Sequence, residues 1–405
     1  MAAKKEDALQ AAHALAKKVG GDTYTKENPM RLGVISTANI ARKVISGVQA
    51  LDTVKVTVVS SRNLEKAQQF AKDVGVDKAY GSYEEVLADP EIDAVYVPLP
   101  TSMHTEWVCK AAKAGKHVLC EKPCALSGAQ LLEMLLVCKE NKVHFMDNVM
   151  FMHHDRLRMM RERIDEGFLG KHGATNVFST LTFRSSGDFG EDFYSSNIRT
   201  NPDLDALGAV GDLGWYNMRM ALFAFAWRTP ATAQGRMLIS HNKVPIEISG
   251  VLTWDPEEGE EDVAGITLQR STVFHGSFLH SNQQRVQITG ADGMIALDDF
   301  VNANSTKSAS FFEESKHETI MTEDGPEAKS ERNVVETGYC RQEAEAVANF
   351  ACQIAALKQG QSIDFWPRIA LLTQLCCDAL LESAEKNGAT VKIDPEGLLA
   401  RFDAA

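Results

Sequence analysis

The 405-residue chain has few cysteines for its length, no long apolar run, and fewer basic than acidic residues. Each shortage excludes something. Eight cysteines are too sparse for a disulfide framework, and their spacing assembles no four-ligand zinc set. Buried reduced thiols are the expectation, including Cys120, Cys124 and the adjacent Cys376 and Cys377. No stretch reaches the ~18 consecutive apolar residues of a transmembrane helix. Lys and Arg total 42 against 55 Asp and Glu, a net charge of −13. Such a surface repels nucleic acid and anionic membranes at long range, so neither is an expected partner. A composition 44% hydrophobic and 24% charged excludes disordered and collagen-like chains. At ~150 residues per domain the length allows two or three domains.

Residues 1–30 carry acids at Glu6 and Asp7 and no long apolar core, unlike a secretory signal. Leu9, Ala12, Leu15 and Val19 fall near helical spacing, which predicts a short surface helix and a linker to residue 30. The C-terminus carries no retention or peroxisomal tag, so the cytoplasm is the expected location.

From Arg31 a strand–helix alternation begins. Leu32–Ile35, Val54–Val59, Ala94–Val97, His117–Cys120 and Val143–Met146 read as strands. Asn39–Leu51, Asn63–Val74, Tyr83–Ala88, Thr105–Ala114 and Ser127–Asn141 read as helices. This rhythm predicts a doubly wound parallel sheet of Rossmann type over residues 31–150. After residue 172 longer strands follow one another without helices: Ala174–Arg184, Lys243–Trp254, Gly265–Phe278 and Arg285–Leu297. They predict a mostly antiparallel sheet in an α+β domain over 151–405. Six acids between Asp255 and Asp262 read as a solvated hairpin tip, and 302–333 as a mobile surface segment. Gly338–Leu357 and Trp366–Lys386 close the chain as helices.

The first strand-to-helix turn of such a fold is its phosphate site, because free backbone N–H groups and the helix dipole favour an anion there. Here the turn reads Ser36-Thr37-Ala38-Asn39-Ile40-Ala41, with small residues where two of the usual glycines would stand. The second strand ends in Ser60-Ser61-Arg62 and lacks the carboxylate that bonds a ribose 2′-hydroxyl in NAD sites. Hydroxyls and a guanidinium suit a 2′-phosphate, which favours NADP over NAD. Pro98-Leu99-Pro100-Thr101 and Glu121-Lys122-Pro123 leave the carboxyl ends of strands, where ligands bind in open α/β sheets.

Taken in order, these motifs resemble the glucose-fructose oxidoreductase/inositol dehydrogenase (Gfo/Idh/MocA) family. The resemblance runs from about residue 31 to about residue 386. Phe145–His154 is similar to a plant and algal subgroup, although Asp155 stands where that subgroup tends to have Pro. Leu207-Gly208-Ala-Val-Gly211-Asp212-Leu-Gly214-Trp215-Tyr216 fits the family's second-domain motif. The resemblance implies a Rossmann domain followed by an open-faced sheet domain, a homodimer, and a carbohydrate-like substrate. It implies that Lys122 orients the reacting oxygen, with Asp212 and Tyr216 beside it, the Tyr as in dihydrodiol dehydrogenase. It extends the cofactor contacts to Leu99, Pro100, Thr101, His104, Glu121 and Asn148, and the substrate contacts to Arg199, His154 and Trp215.

A helix across Gly211–Met220 would place Asp212 and Tyr216 on one face. Tyrosine ordinarily titrates near pH ~10. The Lys122 ammonium is expected to lower that value and make Tyr216 a proton acceptor for alcohol oxidation. The reading is an NADP-dependent oxidoreductase of a sugar, polyol or trans-dihydrodiol. The alternative is an NADP(H)-binding sensor or regulatory subunit without turnover.

Overall fold

The computed structural model describes residues 23–185, 191–256, 268–303, 309–315, 318–322, 325–338, 340–361 and 363–405. The expected N-terminal helix and most of the acidic 255–262 tip lie outside these residues.

The first sheet has six parallel strands in the order β3-β2-β1-β4-β5-β6. They are β1 (Met30–Ile35), β2 (Val54–Ser60), β3 (Lys78–Tyr80), β4 (Ala94–Val97), β5 (His117–Cys120) and β6 (Phe145–Asp147). β4 and β5 are wholly buried, as expected of parallel strands covered by helices on both faces. The connecting helices start where the local chemistry demands. Asn63, Ser82 and Ser127 each accept a hydrogen bond from the N–H three residues on, satisfying an orphan donor of the first turn. This is the Rossmann strand order, and the order of addition switches side between the parallel neighbours β1 and β4, which opens a crevice at their carboxyl ends.

The second sheet has nine strands in the order β16-β13-β12-β11-β7-β10-β9-β8-β17. They are β7 (Asn176–Arg184), β8 (Thr232–His241), β9 (Val244–Trp254), β10 (Arg270–Ser277), β11 (Leu279–Thr289), β12 (Gly293–Leu297), β13 (Ser310–Ser315), β16 (Arg332–Glu336) and β17 (Val391–Lys392). β14 (Glu318–Thr322) and β15 (Gly325–Lys329) form a separate hairpin. Only β7 and β10 run parallel; the other described pairs are antiparallel. Alternate residues of β9 (Ile246, Ile248, Leu252, Trp254) face the core. Phe178 and Val273, paired across β7 and β10, stay exposed on the other face.

Three expectations need correction. Arg285–Leu297 is two strands of a hairpin, because Gly290 and its neighbours turn the chain. β8 is a full edge-side strand that alternation did not reveal. The polar 302–333 segment contributes β13 to β16, whose ladder bonds tolerate polar side chains on an exposed sheet margin.

The C-terminal helices return to the first sheet. Asp378, in helix Phe365–Glu385, accepts from Gly128 N at 2.6 Å, and Lys43 pairs with Glu343 at 2.6 Å. Between the two sheets Arg219 reaches Asp147 at 2.5 Å, and both side chains are fully buried. Trp215 Nε1 also donates to Asp147, and Arg219 Nε to Thr373 Oγ1. This network joins the end of β6 to two second-domain helices, so the two sheets pack as one body.

Candidate active site

A cleft of about 810 Å³ lies between the carboxyl ends of the parallel strands and the second sheet. Ser36, Ala38 and Ile40 line it from the β1 turn, and Leu99, Pro100 and Thr101 from the β4 loop. Glu121, Lys122 and Pro123 line it from the β5 loop, and Arg199, Asp205, Asp212 and Tyr216 from the second domain.

Helix Asn39–Val48 begins at Ala38, which has no capping side chain. Ala38 and Ile40 line the cleft, and no side chain caps the Asn39 and Ile40 N–H groups of that helix, an arrangement suited to a phosphate. Ser36 occupies the first glycine position of the fingerprint with φ of 153°, backbone that glycine adopts more readily, and its Oγ accepts from Ala38 N at 3.0 Å. Thr37 and Asn39 belong to the turn but do not line the cleft. Arg62 is exposed at the end of β2, beside the Tyr83 hydroxyl, and forms no ion pair among the described residues. These groups fit a phosphorylated dinucleotide: small residues and open N–H groups for the pyrophosphate, a guanidinium for a further phosphate.

At the cleft centre Lys122 Nζ donates to Asp212 Oδ1 at 2.6 Å and to the Asp212 carbonyl at 3.1 Å. Arg199 Nε lies 2.8 Å from the other carboxylate oxygen of Asp212. The same ammonium sits 4.6 Å from the centroid of the Tyr216 ring. Asp212 is brought there by a π-helical turn, Val210–Gly214, that leads into the α-helix Trp215–Ala224. The expected uninterrupted α-helix is thus replaced at its start by a wider turn, a feature common at functional sites. Gly211 makes the approach possible: a Cβ there would meet Leu207 Cβ at 2.6 Å and Pro123 Cγ at 2.9 Å. Gly208 has φ of 50°, and a Cβ there would meet the Pro245 carbonyl at 2.2 Å.

Electrostatics follow from this packing. Burial pushes the Asp212 carboxyl up, but Arg199 and Lys122 outweigh it and hold it well below the usual carboxylate range. Burial opposes the Lys122 charge, and Asp212 with Tyr216 more than restores it. Tyr216 moves the other way from the expectation. Lys122 does favour its phenolate, but burial is the larger effect, aided by Glu121 and Asp212, and its value is raised. Lys122 is already neutralised by Asp212, so its pull on the phenol is weakened.

Glu121 is anchored by Tyr96 Oη at 2.5 Å and Asn148 Nδ2 at 2.7 Å, so Asn148 stands behind the cleft. Six other expected contacts are not among the residues that line it. Ser60 is buried and its hydroxyl donates to Val34 O at 3.1 Å; Ser61 is buried and its hydroxyl accepts from Asn63 N at 3.3 Å; Arg62 is exposed beyond the end of β2, outside the cleft lining. His104 is buried, with Nε2 at 2.8 Å from Leu99 O and Nδ1 at 3.1 Å from the Pro123 and Cys124 carbonyls. It ties the β4 loop to the β5 loop. His154 is buried and caps helix Asp155–Asp165 through Nδ1; burial pushes its imidazole down to about 4. Trp215 is fully buried against Asp147.

Sequence reasoning missed Asp205. This carboxyl lines the cleft, and burial followed by the Asp212 charge pushes it up to about 7, against Lys122 and Arg199. Its Oδ1 is buried without a hydrogen-bond partner. An Asp in the loop Asn201-Pro-Asp-Leu-Asp205 carries no pattern that separates it from Asp203, which is exposed. Thr182, Arg184, Asn282 and Gln284 also line the cleft, and as polar strand residues they gave no signal.

Comparison with known proteins agrees with this arrangement. The profile described as "Oxidoreductase family, NAD-binding Rossmann fold" (Gfo/Idh/MocA) matches residues 30–149. D-xylose 1-dehydrogenase (NADP(+)) 2 of Haloferax volcanii is 31% identical over 374 residues, covering 90% of this chain and all of that one. A dTDP-3,4-didehydro-2,6-dideoxy-alpha-D-glucose 3-reductase of Actinomadura kijaniata is 35% identical over 195 residues, 48% of this chain and 55% of that one. A crystal structure of a 3-ketoreductase from Actinomadura kijaniata with NADP and TDP-benzene superposes with a TM-score of 0.71 at 24% identity, covering 88% of this chain and 98% of that one. The last likeness speaks to fold alone. The full-length match to the Haloferax protein, on top of the profile match, shows that the chain belongs to the Gfo/Idh/MocA oxidoreductase family.

Proposed function

We propose that this oxidoreductase is NADP-dependent and acts at a CH–OH or carbonyl carbon of a sugar or related polyhydroxylated ring. One observation carries the reading: Lys122, fixed by Asp212 and 4.6 Å from the Tyr216 ring centroid, stands in the cleft that the Ser36–Ile40 turn also lines. The name of the Haloferax relative supports a sugar and NADP. Arg62 supports NADP over NAD, since a guanidinium at the end of β2 suits a 2′-phosphate.

When bound along the Ser36–Ile40 turn, NADP(H) would supply the hydride donor or acceptor. Lys122 holds the substrate oxygen and stabilises charge that develops on it. Asp212 keeps that ammonium in place and charged. Tyr216, which burial keeps protonated, gives its phenolic proton to the oxygen during reduction; in the oxidative direction its phenolate, formed by loss of that proton to solvent, takes the hydroxyl proton of the substrate. Arg199, on the far oxygen of Asp212, stiffens the carboxylate. The polar rim formed by Arg184, Asn282 and Gln284 suits hydroxyl groups of a sugar.

The paired, exposed Phe178 and Val273 support a homodimer through the open face of the second sheet. Eight free cysteines support a reducing, cytoplasmic setting.

A dehydrogenase and reductase screen with NADP(H) and NAD(H) in parallel tests the proposal. It covers xylose, glucose, inositol, anhydro-sugars and trans-dihydrodiols. Turnover on a sugar with NADP preferred is the expected result. Tight NADPH binding with no turnover across the panel would replace it with the sensor reading.

A further inference from the structure

On the open face of the second sheet, three side chains from three strands converge. Glu247 lies on β9, His275 on β10 and His280 near the start of β11. β9 and β10 are paired with Ser277 opposite Glu247, and His275 is two residues before Ser277. Residues two apart share a sheet face, so His275 is a diagonal neighbour of Glu247. His280 reaches the same carboxylate from beyond the turn at Phe278. Gly276, between His275 and Ser277, faces Leu213 on the opposite side of the sheet. The cluster therefore lies across the sheet from the Asp212 turn, outside the cleft.

Distances suit a small cation. Glu247 Oε2 is 3.1 Å from His280 Nε2, and Glu247 Oε1 is 3.8 Å from His275 Nε2. One ligand atom from each residue lies within 4.8 Å of the others. Donors at ~2.0–2.1 Å from a tetrahedral zinc ion stand about 3.3 Å apart, so small side-chain rotations suffice. Ser277 Oγ donates to Glu247 Oε2 at 3.0 Å, an orienting bond of the kind that supports metal ligands.

The charge balance points the same way. Glu247 is only 8% exposed. Among the described residues its ion partners are those two imidazoles, with no Lys or Arg. A buried carboxylate without a permanent cation is costly, and a divalent ion would offset that cost.

We propose that Glu247, His275 and His280 bind one transition-metal cation of the zinc class per chain. Two imidazoles and a carboxylate are borderline donors that favour Zn²⁺ over Mg²⁺ or Ca²⁺. Three protein ligands leave the fourth position to water, and exposed His280 leaves an entry path.

The test is titration of untagged, chelator-treated protein with ZnCl₂ by calorimetry, and with CoCl₂ followed by visible absorption. One equivalent of Zn²⁺ per chain is expected, and Co²⁺ should give the intense ligand-field bands of a four-coordinate site. His280→Ala, at a largely exposed side chain, should weaken Zn²⁺ binding by more than the ~10–100-fold typical of losing a supporting partner. His275→Ala should do the same. No saturable Zn²⁺ binding, equal binding by His280→Ala and the wild type, or binding of Mg²⁺ in preference to Zn²⁺ would each overturn the assignment.

Discussion

Lys122 and Asp212 stand 90 positions apart in the chain and meet at 2.6 Å across the cleft. The contact joins the β5 loop of the first sheet to the π-helical turn of the second domain. It keeps the ammonium charged and weakens its pull on the Tyr216 phenol, whose state burial decides. A chemical site and a domain junction are therefore one structure.

Lys122→Ala and Tyr216→Phe should each lower kcat by about 10²–10⁴-fold, the range typical of losing a positioned acid, base or charge. NADPH affinity, read by fluorescence titration, should stay within a few-fold. Because Tyr216 is shifted upward, the reductive rate of the wild type should fall only in alkaline solution, where the phenol loses its proton. Full activity in Tyr216→Phe would remove the phenol from the mechanism.

Arg62→Ala should weaken NADP⁺ binding by about 10–100-fold, the equivalent of ~1.5–3 kcal/mol for a hydrogen bond to a charged group. NAD⁺ binding should be unchanged. Calorimetry with both nucleotides reads the ratio directly, and an unaltered preference would place the 2′-phosphate elsewhere.

Asp205 predicts a pH dependence of stability. Its folded value, about 7, lies above the ordinary carboxylate value. The folded state therefore holds the proton more tightly than the unfolded chain. The contribution is fully present below the unfolded value and is lost as pH rises through about 7. Asp205→Asn should leave Tm little changed at acidic pH and raise it relative to the wild type near pH 8. The gain corresponds to a few kcal/mol at most. Thermal melts of cofactor-free protein across that range check it; parallel melting curves would count against a buried, protonated carboxyl.

Arg219→Met should destabilise the protein by about 3–5 kcal/mol, because it leaves the Asp147 charge buried without its cation. Asp147 and Arg219 are both fully buried, and neither faces the cleft. Urea unfolding measures the loss, and a change below ~1 kcal/mol would show that the pair is dispensable.

Five strands of the parallel sheet were legible because they are short, mostly buried runs between helices, three of which carry a side-chain cap; β3 was not read, being three residues long and without a buried residue. Lys122 was legible for a similar reason: it lies two residues past the end of a buried strand. The second sheet was harder to read. β11 and β12 run together in sequence because one short turn separates them, and β8 breaks its alternation at Leu238 and Ile239, which are both exposed. His104 and Trp215 show the reverse failure. Both stand within motifs that border the cleft, yet the one binds backbone carbonyls and the other packs on Asp147.

Local pattern determined the strand order's raw material, the phosphate turn and the lysine, since these depend on residues within a few positions of one another. Tertiary structure decided which charges meet. Asp212 reached Lys122 because Gly211 allows the turn to close on Pro123. Asp205 became a protonatable group near neutral pH because packing removed its water and set it beside Asp212. Tyr216 was kept protonated by burial against the pull of its neighbouring ammonium. Solvation and long-range charge depend on what surrounds a residue in space, and sequence spacing does not carry that quantity.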